Sequence, residues 1–223
     1  SDDPSPVSMA MTHPWLGGTY DVARMLLAAG GTADLHAAVQ LGLVERVAEI
    51  LRDDPAQARR TDWGLAPVDL AAEVGLVSVG MLFVEAGSEV NVFAAASFGL
   101  LDRVVAFLED DPSLVHAHRE QGGYTPLHCA AETGHAEVAR FLLEHGADVH
   151  ERNWWGFRPL HLATLSARGA PSTPGHVEIA QMLLDVGADP HVLDDYDRTP
   201  LTFVKDSENA GIRRLFAPYM QDD

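Results

Sequence analysis

The fold is decided by a stretch that runs Tyr124-Thr125-Pro126-Leu127-His128-Cys129-Ala130-Ala131-Glu132-Thr133-Gly134-His135. It is echoed 33 residues later by Phe157-Arg158-Pro159-Leu160-His161-Leu162-Ala163. Each copy leads into a second block with helical spacing of apolar residues, 137–148 in one case and 178–189 in the other. A fixed period of this length is typical of a repeat architecture.

One unit of the repeat predicts two short helices. Thr125 is a good N-cap, and Pro126 suits the first helical position. Gly134 ends this helix, and apolar residues then recur at helical spacing until Gly146 supplies a left-handed cap. Because a single pair of helices cannot bury its apolar face, the units must stack on one another.

These segments resemble ankyrin repeats, and weaker copies cover the rest of the chain. The resemblance implies an all-α fold, a solenoid of stacked helix-turn-helix units with short projecting hairpin loops. We expect a single array over residues 1–223, in which Arg213 and Arg214 mark a terminal cap. It holds about seven units, with approximate bounds 5–31, 34–56, 63–90, 92–114, 123–149, 156–189 and 198–218.

Three departures interrupt the pattern. The sixth unit carries about eight extra residues, 166–173, between its two helices, and a smaller insertion lies around residues 13–16. Both are interpreted first as tolerated surface loops, because such insertions cost little, and second as lids over a groove. The hairpin between Val90 and Val92 is missing, which predicts a gap in the row of loops.

Composition restricts the partners. The chain has 15 basic and 33 acidic residues, a formal net charge of -18 that repels phosphate backbones and anionic lipids. We therefore expect no nucleic acid and no membrane partner, and no stretch approaches the roughly 18 apolar residues of a membrane span. The single Cys129 needs no oxidising compartment, so we expect a cytoplasmic protein. Arginine greatly outnumbers lysine, which favours a bacterial source.

The histidines invite a metal or acid-base hypothesis, but the repeat accounts for most of the 11. His128 and His161 occupy a repeat position at which the resemblance implies structural hydrogen bonds between units. No metal site is predicted, although His116, His118 and Glu120 alternate along a segment expected to be extended and are weak candidate ligands. Motifs typical of metalloproteases, serine hydrolases and phosphate-binding loops do not occur, and we expect no cofactor.

Exposed aromatic residues carry the strongest functional signal. The repeat places the hairpin tips and the ends of the first helices on the concave side of the array, where tryptophan, tyrosine and arginine are typical of binding hot spots. The leading hypothesis is a non-catalytic scaffold whose aromatic, acidic concave face binds an apolar, net basic protein segment. Its predicted contact residues are Trp63, Tyr124, Glu132, Thr133, Trp154, Trp155, Phe157, Leu165, Tyr196 and Arg198.

An alternative hypothesis belongs to another class. A groove enclosed by the insertions binds a small molecule, and a carboxylate paired with a histidine performs acid-base catalysis, as an isomerase, cyclase or lyase would. The candidate groups are Glu132, Asp206, His128 and His161. A concave pocket of about 300 Å³ or more, holding a carboxylate with a raised pKa, would favour this alternative over an open protein-binding face.

Overall fold

The computed structural model describes residues 25, 27–61, 65–165 and 173–220, apart from the side chain of Asp206. Within these residues the secondary structure is entirely helical, with twelve α-helices, short 3₁₀ turns and no strand. The chain divides into two compact units, Ser1–Val90 and Asn91–Asp223. The all-α helix-turn-helix architecture is the one that the repeat predicts.

The part of the first unit that the structure describes contains two helix pairs between residues 35 and 85. They are α1 (Leu35–Gln40) with α2 (Val44–Asp53), and α3 (Pro67–Glu73) with α4 (Val77–Glu85). Small residues such as Ala37 and Ala38 are fully buried, so the helices approach closely around Val39, Val47 and Phe83. The hydroxyl of Ser88 donates to the carbonyl of Ala58 at 2.8 Å and ties the end of the second pair to the first.

The described residues of the second unit form four helix pairs. They are α5 (Val92–Ser97) with α6 (Leu101–Asp110), α7 (Pro126–Thr133) with α8 (Ala136–Glu144), α9 (Pro159–Thr164) with α10 (Pro174–Asp185), and α11 (Pro200–Asp206) with α12 (Ala210–Phe216). Helices α5, α7, α9 and α11 follow one another as neighbours, and the partner helices α8, α10 and α12 form a second row. Stacking of this kind buries Leu127, Leu142, Leu160, Leu183 and Ile212.

In alternate units the second helix is followed by an aspartate, Asp54 or Asp111, and not by a glycine. After α2 and α6 the chain turns through 3₁₀ helices at Pro55–Arg59 and Pro112–His116. Asp111 starts the second of these, because its Oδ1 accepts from the backbone N–H and the hydroxyl of Ser113. These two bonds lower the pKa of Asp111. His116 therefore ends a 3₁₀ helix, and the extended segment predicted there is wrong.

Residues at the edge of the predicted insertion also need a correction. Thr173 does not belong to a loop but caps α10, because its backbone N–H donates to Nδ1 of His176 at 3.0 Å. Residues 13–16 and 166–172 lie outside the described part of the chain. Over the described ranges, each helix is too short or too polar to cross a membrane.

Candidate functional site

Three hairpin turns project before the first helices of the second unit: tip 1 (residues 119–124), tip 2 (153–157) and tip 3 (194–198). In each turn a backbone hydrogen bond joins the first residue to the last. Tyr124 accepts from Arg119 at 2.8 Å, and the corresponding bonds of tips 2 and 3 measure 2.9 Å. The turns are therefore defined structures and can hold side chains in fixed positions.

A buried polar side chain organises tips 2 and 3. Oδ1 of Asn153 accepts from the backbone N–H groups of Trp155 and Phe157, both at 3.0 Å. Oδ1 of Asp194 accepts in the same way from Tyr196 and Arg198, at 2.8 and 2.9 Å. Both side chains are only 5% exposed. Sequence reasoning missed their role, although an Asn or Asp two residues before each tip aromatic is a recognisable turn signal.

Backbone hydrogen bonds also join neighbouring tips. The N–H of Trp154 donates to the carbonyl of Gly122 at 3.0 Å, and the N–H of Asp195 donates to the carbonyl of Trp155 at 3.1 Å. Tip 2 is thus bonded to the tips on both of its sides. The three tips form one continuous row whose spacing is set by main-chain bonds.

Two glycines of tip 1 seat the two tryptophans of tip 2. Gly122 and Gly123 both have positive φ, 84° and 66°, which other residues adopt only with strain. A Cβ on Gly123 would lie 2.5 Å from Cδ1 of Trp154, and one on Gly122 would lie 2.9 Å from Cζ3 of Trp155. We call this pair the glycine seat. It lets the indole rings lie directly against the backbone of tip 1.

An arginine fills the space between tips 2 and 3. Nε of Arg198 is 2.9 Å from Oδ2 of Asp194, and the guanidinium lies 4.8 Å from the ring centroid of Tyr196 and 5.3 Å from that of Phe157. Phe203 of α11 lies on another side at 5.1 Å. A second arginine, Arg152, bonds Oδ1 of Asp195 across the two tips at 2.5 Å.

The predicted binding residues differ widely in exposure. Trp154 is 67% exposed and Tyr196 is 58% exposed, whereas Trp155, Phe157 and Arg198 are half-buried. Leu193, which was not predicted, is 52% exposed beside tip 3. The residues of tips 2 and 3 thus lie together. Trp63 lies outside the described residues.

Tyr124 is not an exposed contact residue, which corrects the prediction. Its ring is buried, with its centroid 5.8 Å from that of His128 and 6.1 Å from that of Trp155 in an edge-on arrangement. The guanidinium of Arg119 covers the ring at 4.6 Å. Tyr124 therefore supports Trp155 from below and is unavailable to a partner.

The predicted residues on the first helices are less open than the tips. Glu132, Thr133 and Leu165 are each half-buried. The hydroxyl of Thr133 donates to the carbonyl of Cys129 at 2.9 Å, and the carbonyl of Glu132 accepts from Nε2 of His176 at 3.1 Å. These hydrogen bonds stabilise the ends of the first helices. Glu132 and Thr133 also place polar groups beside the row of tips.

His128 and His161 are structural and not acid-base groups. Nδ1 of His128 accepts from the backbone N–H of Thr125 at 3.2 Å, and Nε2 donates to the carbonyl of Phe157 at 3.0 Å. His161 repeats the pattern with the N–H of Arg158 and the carbonyl of Val192, both at 3.1 Å. Both rings are buried, and burial lowers the pKa of each below its usual value, to about 4 in the case of His128. With both nitrogens bonded, neither ring can exchange a proton with a substrate.

The other chemical candidates do not assemble into a site. Among the described residues, no group of three or more His, Cys, Asp or Glu side chains is placed to hold a metal ion. His118 instead bonds Glu151 at 2.7 Å, so it does not join His116 and Glu120. The side chain of Asp206 lies outside the described part. Cys129 is buried, and burial raises the pKa of its thiol to about 11.

An open groove of about 920 Å³ lies on the row of second helices. Its lining includes Arg140 on α8, Val177, Glu178 and Met182 on α10, and Gly211 on α12. Arg140 pairs with Glu178 across it. The groove contains none of the predicted binding or catalytic residues, so it is not the pocket that the enzyme hypothesis requires.

Comparisons with known proteins agree with this architecture. Residues 92–194 match the family model for ankyrin repeats (3 copies). The chain is 37% identical over 70 residues to the ankyrin repeat-containing protein P1E11.10 of Schizosaccharomyces pombe, a match that covers 31% of this chain and 33% of that protein. It is 32% identical over 119 residues to the ankyrin repeat-containing protein ITN1 of Arabidopsis thaliana, covering 53% of this chain and 20% of that protein.

A third relative is the BCL-6 corepressor-like protein 1 of Homo sapiens, which is 40% identical over 72 residues, 32% of this chain and 4% of that protein. The chain thus spans a third or less of the length of these relatives. The repeated helix pairs and these similarities define the class of the matched region: residues 92–194 are an array of ankyrin repeats. Ankyrin repeats are generally modules for protein-protein interaction, which supports a binding scaffold.

Proposed function

We propose that tips 2 and 3 form a surface that binds an apolar, net basic segment of a partner protein. One observation carries the proposal: Trp154 is 67% exposed although the glycine seat and a backbone bond to Gly122 fix its position. A large aromatic side chain that is held in place and left in water supports an interaction surface.

Rigidity favours affinity at such a surface. The side chains of Trp155 and Phe157 pack on Tyr124 and His161, and hydrogen bonds to Asn153 and Asp194 hold the turns that carry the aromatics. Little side-chain and loop entropy is then lost when a partner binds, which is the main advantage of preorganisation. Aromatic residues and arginine dominate the energetics of most interfaces, and this row has both.

Charge supports the choice of partner. The chain carries a formal net charge of -18, and the exposed Asp195 and Asp197 lie within tip 3. A basic segment would be steered to this surface, and its apolar residues would cover Trp154 and Tyr196. The single buried Cys129 is compatible with a reducing compartment, so we extend the proposal to a cytoplasmic partner.

The experiment that tests the proposal is affinity capture from the source cell, followed by calorimetry with the purified partner. The bait proteins are the wild type, Trp154→Ala, and the control Val186→Ala, which removes a 56% exposed apolar residue at the end of α10. We expect one protein to bind the wild type and Val186→Ala stoichiometrically and Trp154→Ala at least tenfold more weakly, since hot-spot truncations cost about 2 kcal/mol or more.

Thermal unfolding of the same variants separates binding from folding. Because Trp154 is mostly exposed, Trp154→Ala should change the free energy of unfolding by about 0.5 kcal/mol or less. A partner that binds Trp154→Ala as tightly as the wild type would contradict the proposal. A large loss of stability in this variant would show that the indole has a role in folding instead.

A further inference from the structure

Arginine stacking on aromatic rings recurs along the row of tips. In tip 1 the guanidinium of Arg119 lies 4.6 Å from the ring centroid of Tyr124. In tip 3 the guanidinium of Arg198 lies 4.8 Å from that of Tyr196 and 5.3 Å from that of Phe157. Each of these rings has its cation supplied by the chain itself.

Trp154 of tip 2 lacks this arrangement, although Arg198 covers Phe157 of the same tip. Arg152, which precedes tip 2, is directed to Oδ1 of Asp195 at 2.5 Å, and no arginine or lysine of the described residues stacks on Trp154. Cδ1 and Nε1 of Trp154 are the atoms nearest to where a Cβ on Gly123 would lie, so the pyrrole side of the ring is the seated side. Despite this contact, Trp154 is 67% exposed.

We propose that the partner supplies the missing cation: the guanidinium of an arginine in the bound segment stacks on the exposed face of Trp154. This inference rests on the proposed function and names the side chain that the central subsite accepts. Tryptophan is the best of the aromatic side chains for a cation-π contact, because its ring has the most negative face.

The surrounding charges favour a cation at this position. Glu120 in tip 1 and Asp197 in tip 3 are exposed and have no ion-pair partner among the described residues. They flank tip 2, which is bonded to both neighbouring tips. A guanidinium on Trp154 therefore lies between two turns that each carry an unpaired carboxylate, whereas Arg119, Arg152 and Arg198 already have partners within the chain.

Arginine fits better than lysine for a geometric reason. The planar guanidinium stacks face to face on an indole and is more weakly hydrated than an ammonium, so it loses less on leaving water. It also keeps its edge N–H groups free to donate to carboxylates while its face is stacked. The Arg198 site shows this combination, since one guanidinium both bonds Asp194 and stacks on Tyr196.

A double-mutant cycle tests the contact. The probes are three synthetic peptides. The first is acetyl-Leu-Arg-Leu-Arg-Leu-Arg-Leu-amide, the second has citrulline, an uncharged isostere, at each arginine, and the third has lysine there. The full chain is compared with Trp154→Leu, which keeps an apolar side chain but removes the ring. The dissociation constants are measured by calorimetry at fixed ionic strength, and the folded state of the variant is checked by its unfolding curve.

The cycle isolates stacking from general charge attraction. Replacing arginine by citrulline weakens binding to both proteins through the net charge, and this effect cancels in the comparison. We expect the preference for the arginine peptide to be about fivefold larger for the wild type than for Trp154→Leu, the range of a partly exposed cation-π contact. A lysine peptide should show a smaller difference between the two proteins.

Three results overturn the inference. The first is an equal preference for the arginine peptide in the wild type and in Trp154→Leu. The second is an arginine peptide that does not bind the wild type. The third is a lysine peptide whose difference between the two proteins equals or exceeds that of the arginine peptide. The proposed function is judged separately by capture. If Trp154→Ala loses its partner but the cycle shows no coupling, the surface binds proteins without an arginine on Trp154. If Trp154→Ala keeps its partner, both proposals fail.

Discussion

Tip 2 and tip 3 have the same backbone and almost no side chain in common. Asn153 in one and Asp194 in the other accept from two backbone N–H groups, and the left-handed position holds Gly156 in one and Asp197 in the other. Two polar bonds and one unusual dihedral thus suffice to form the turn. The residues between the acceptor and the left-handed position differ in the two tips, so these positions can carry side chains that contact a partner.

The side chains that vary have opposite consequences. In tip 3 the side chains contact one another, because Arg198 bonds Asp194 and stacks on Tyr196. Tip 2 has Phe157 at the position that Arg198 occupies in tip 3. Trp154 of tip 2 is 67% exposed. The comparison is consistent with our proposal, in which a partner covers Trp154 of tip 2 and Tyr196 of tip 3.

The largest effect is expected from removing the buried acid of tip 3. Asp194→Ala should cost about 3 to 5 kcal/mol of unfolding free energy, because it removes the acceptor of two backbone N–H groups and leaves Arg198 without its counter-ion. Asn153→Ala should cost less, about 2 kcal/mol, since no charge is left unpaired. Urea denaturation measures both, and Asp195→Ala, which removes an exposed carboxylate one residue away, is the control.

Acid should loosen the anchors of both tips. His128 bonds the carbonyl of Phe157 in tip 2, and His161 bonds that of Val192 before tip 3. The folded pKa of His128 is about 4, below the usual 6.5, so the unfolded chain takes up more protons between these values. Its stabilisation is fully present above pH 6.5 and is lost as the pH falls towards 4, a change of about 3 kcal/mol.

Unfolding free energies measured from pH 7 to pH 4 check this dependence. His128→Gln should flatten the slope, whereas His191→Gln, which changes an exposed histidine, should leave it as in the wild type. An unchanged slope in His128→Gln would mean that other groups govern the acid sensitivity.

The glycine seat should be more sensitive than its small size suggests. Gly123→Ala places a Cβ 2.5 Å from Trp154 at a φ of 66°, so we expect a loss of about 1 to 3 kcal/mol and a displaced indole. Thermal unfolding and the intrinsic fluorescence of the tryptophans report the two effects. Gly146→Ala has a similar φ of 88° but no neighbour within 4 Å, and it separates backbone strain from the clash.

The smallest effect concerns the left-handed position of tip 3. Asp197 has a φ of 59°, where tip 2 has Gly156 at 76°. Asp197→Gly should relieve this strain and stabilise the chain by up to about 1 kcal/mol, partly offset by the greater freedom of glycine when unfolded. A melting temperature below that of the wild type would show that the carboxylate of Asp197 contributes more than the strain costs.

Much of the architecture could be predicted, because it depends on local chemistry. The recurring Thr-Pro-Leu-His signal gives helix caps and a buried histidine, and both are present at Thr125 and His128. The prediction of an extended segment at His116 failed, because it overlooked the ability of Asp111 to start a 3₁₀ turn. The boundaries of the seven predicted units and the bacterial source remain predictions.

The site was predicted only in part. Trp154 and Tyr196 could be assigned to exposed tips from the repeat register, and they are exposed. Tyr124 has the same register position as Phe157, but its burial depends on Trp155 from the next unit, which no local pattern reveals. The buried roles of Asn153 and Asp194 were missed because each residue taken alone resembles a solvated turn residue.

The sequence by itself determined the helix pairs, their caps and the identity of the aromatic residues at the tips, because these follow from interactions within a few residues along the chain. Only the tertiary structure decided which aromatic remains open. That outcome depends on contacts between units: the glycine seat under Trp154, the ring of Tyr124 beneath Trp155, and Arg198 between Tyr196 and Phe157. Stacking of the units brings together residues that lie about 30 to 40 positions apart in the chain. These contacts determine which aromatic side chains are buried.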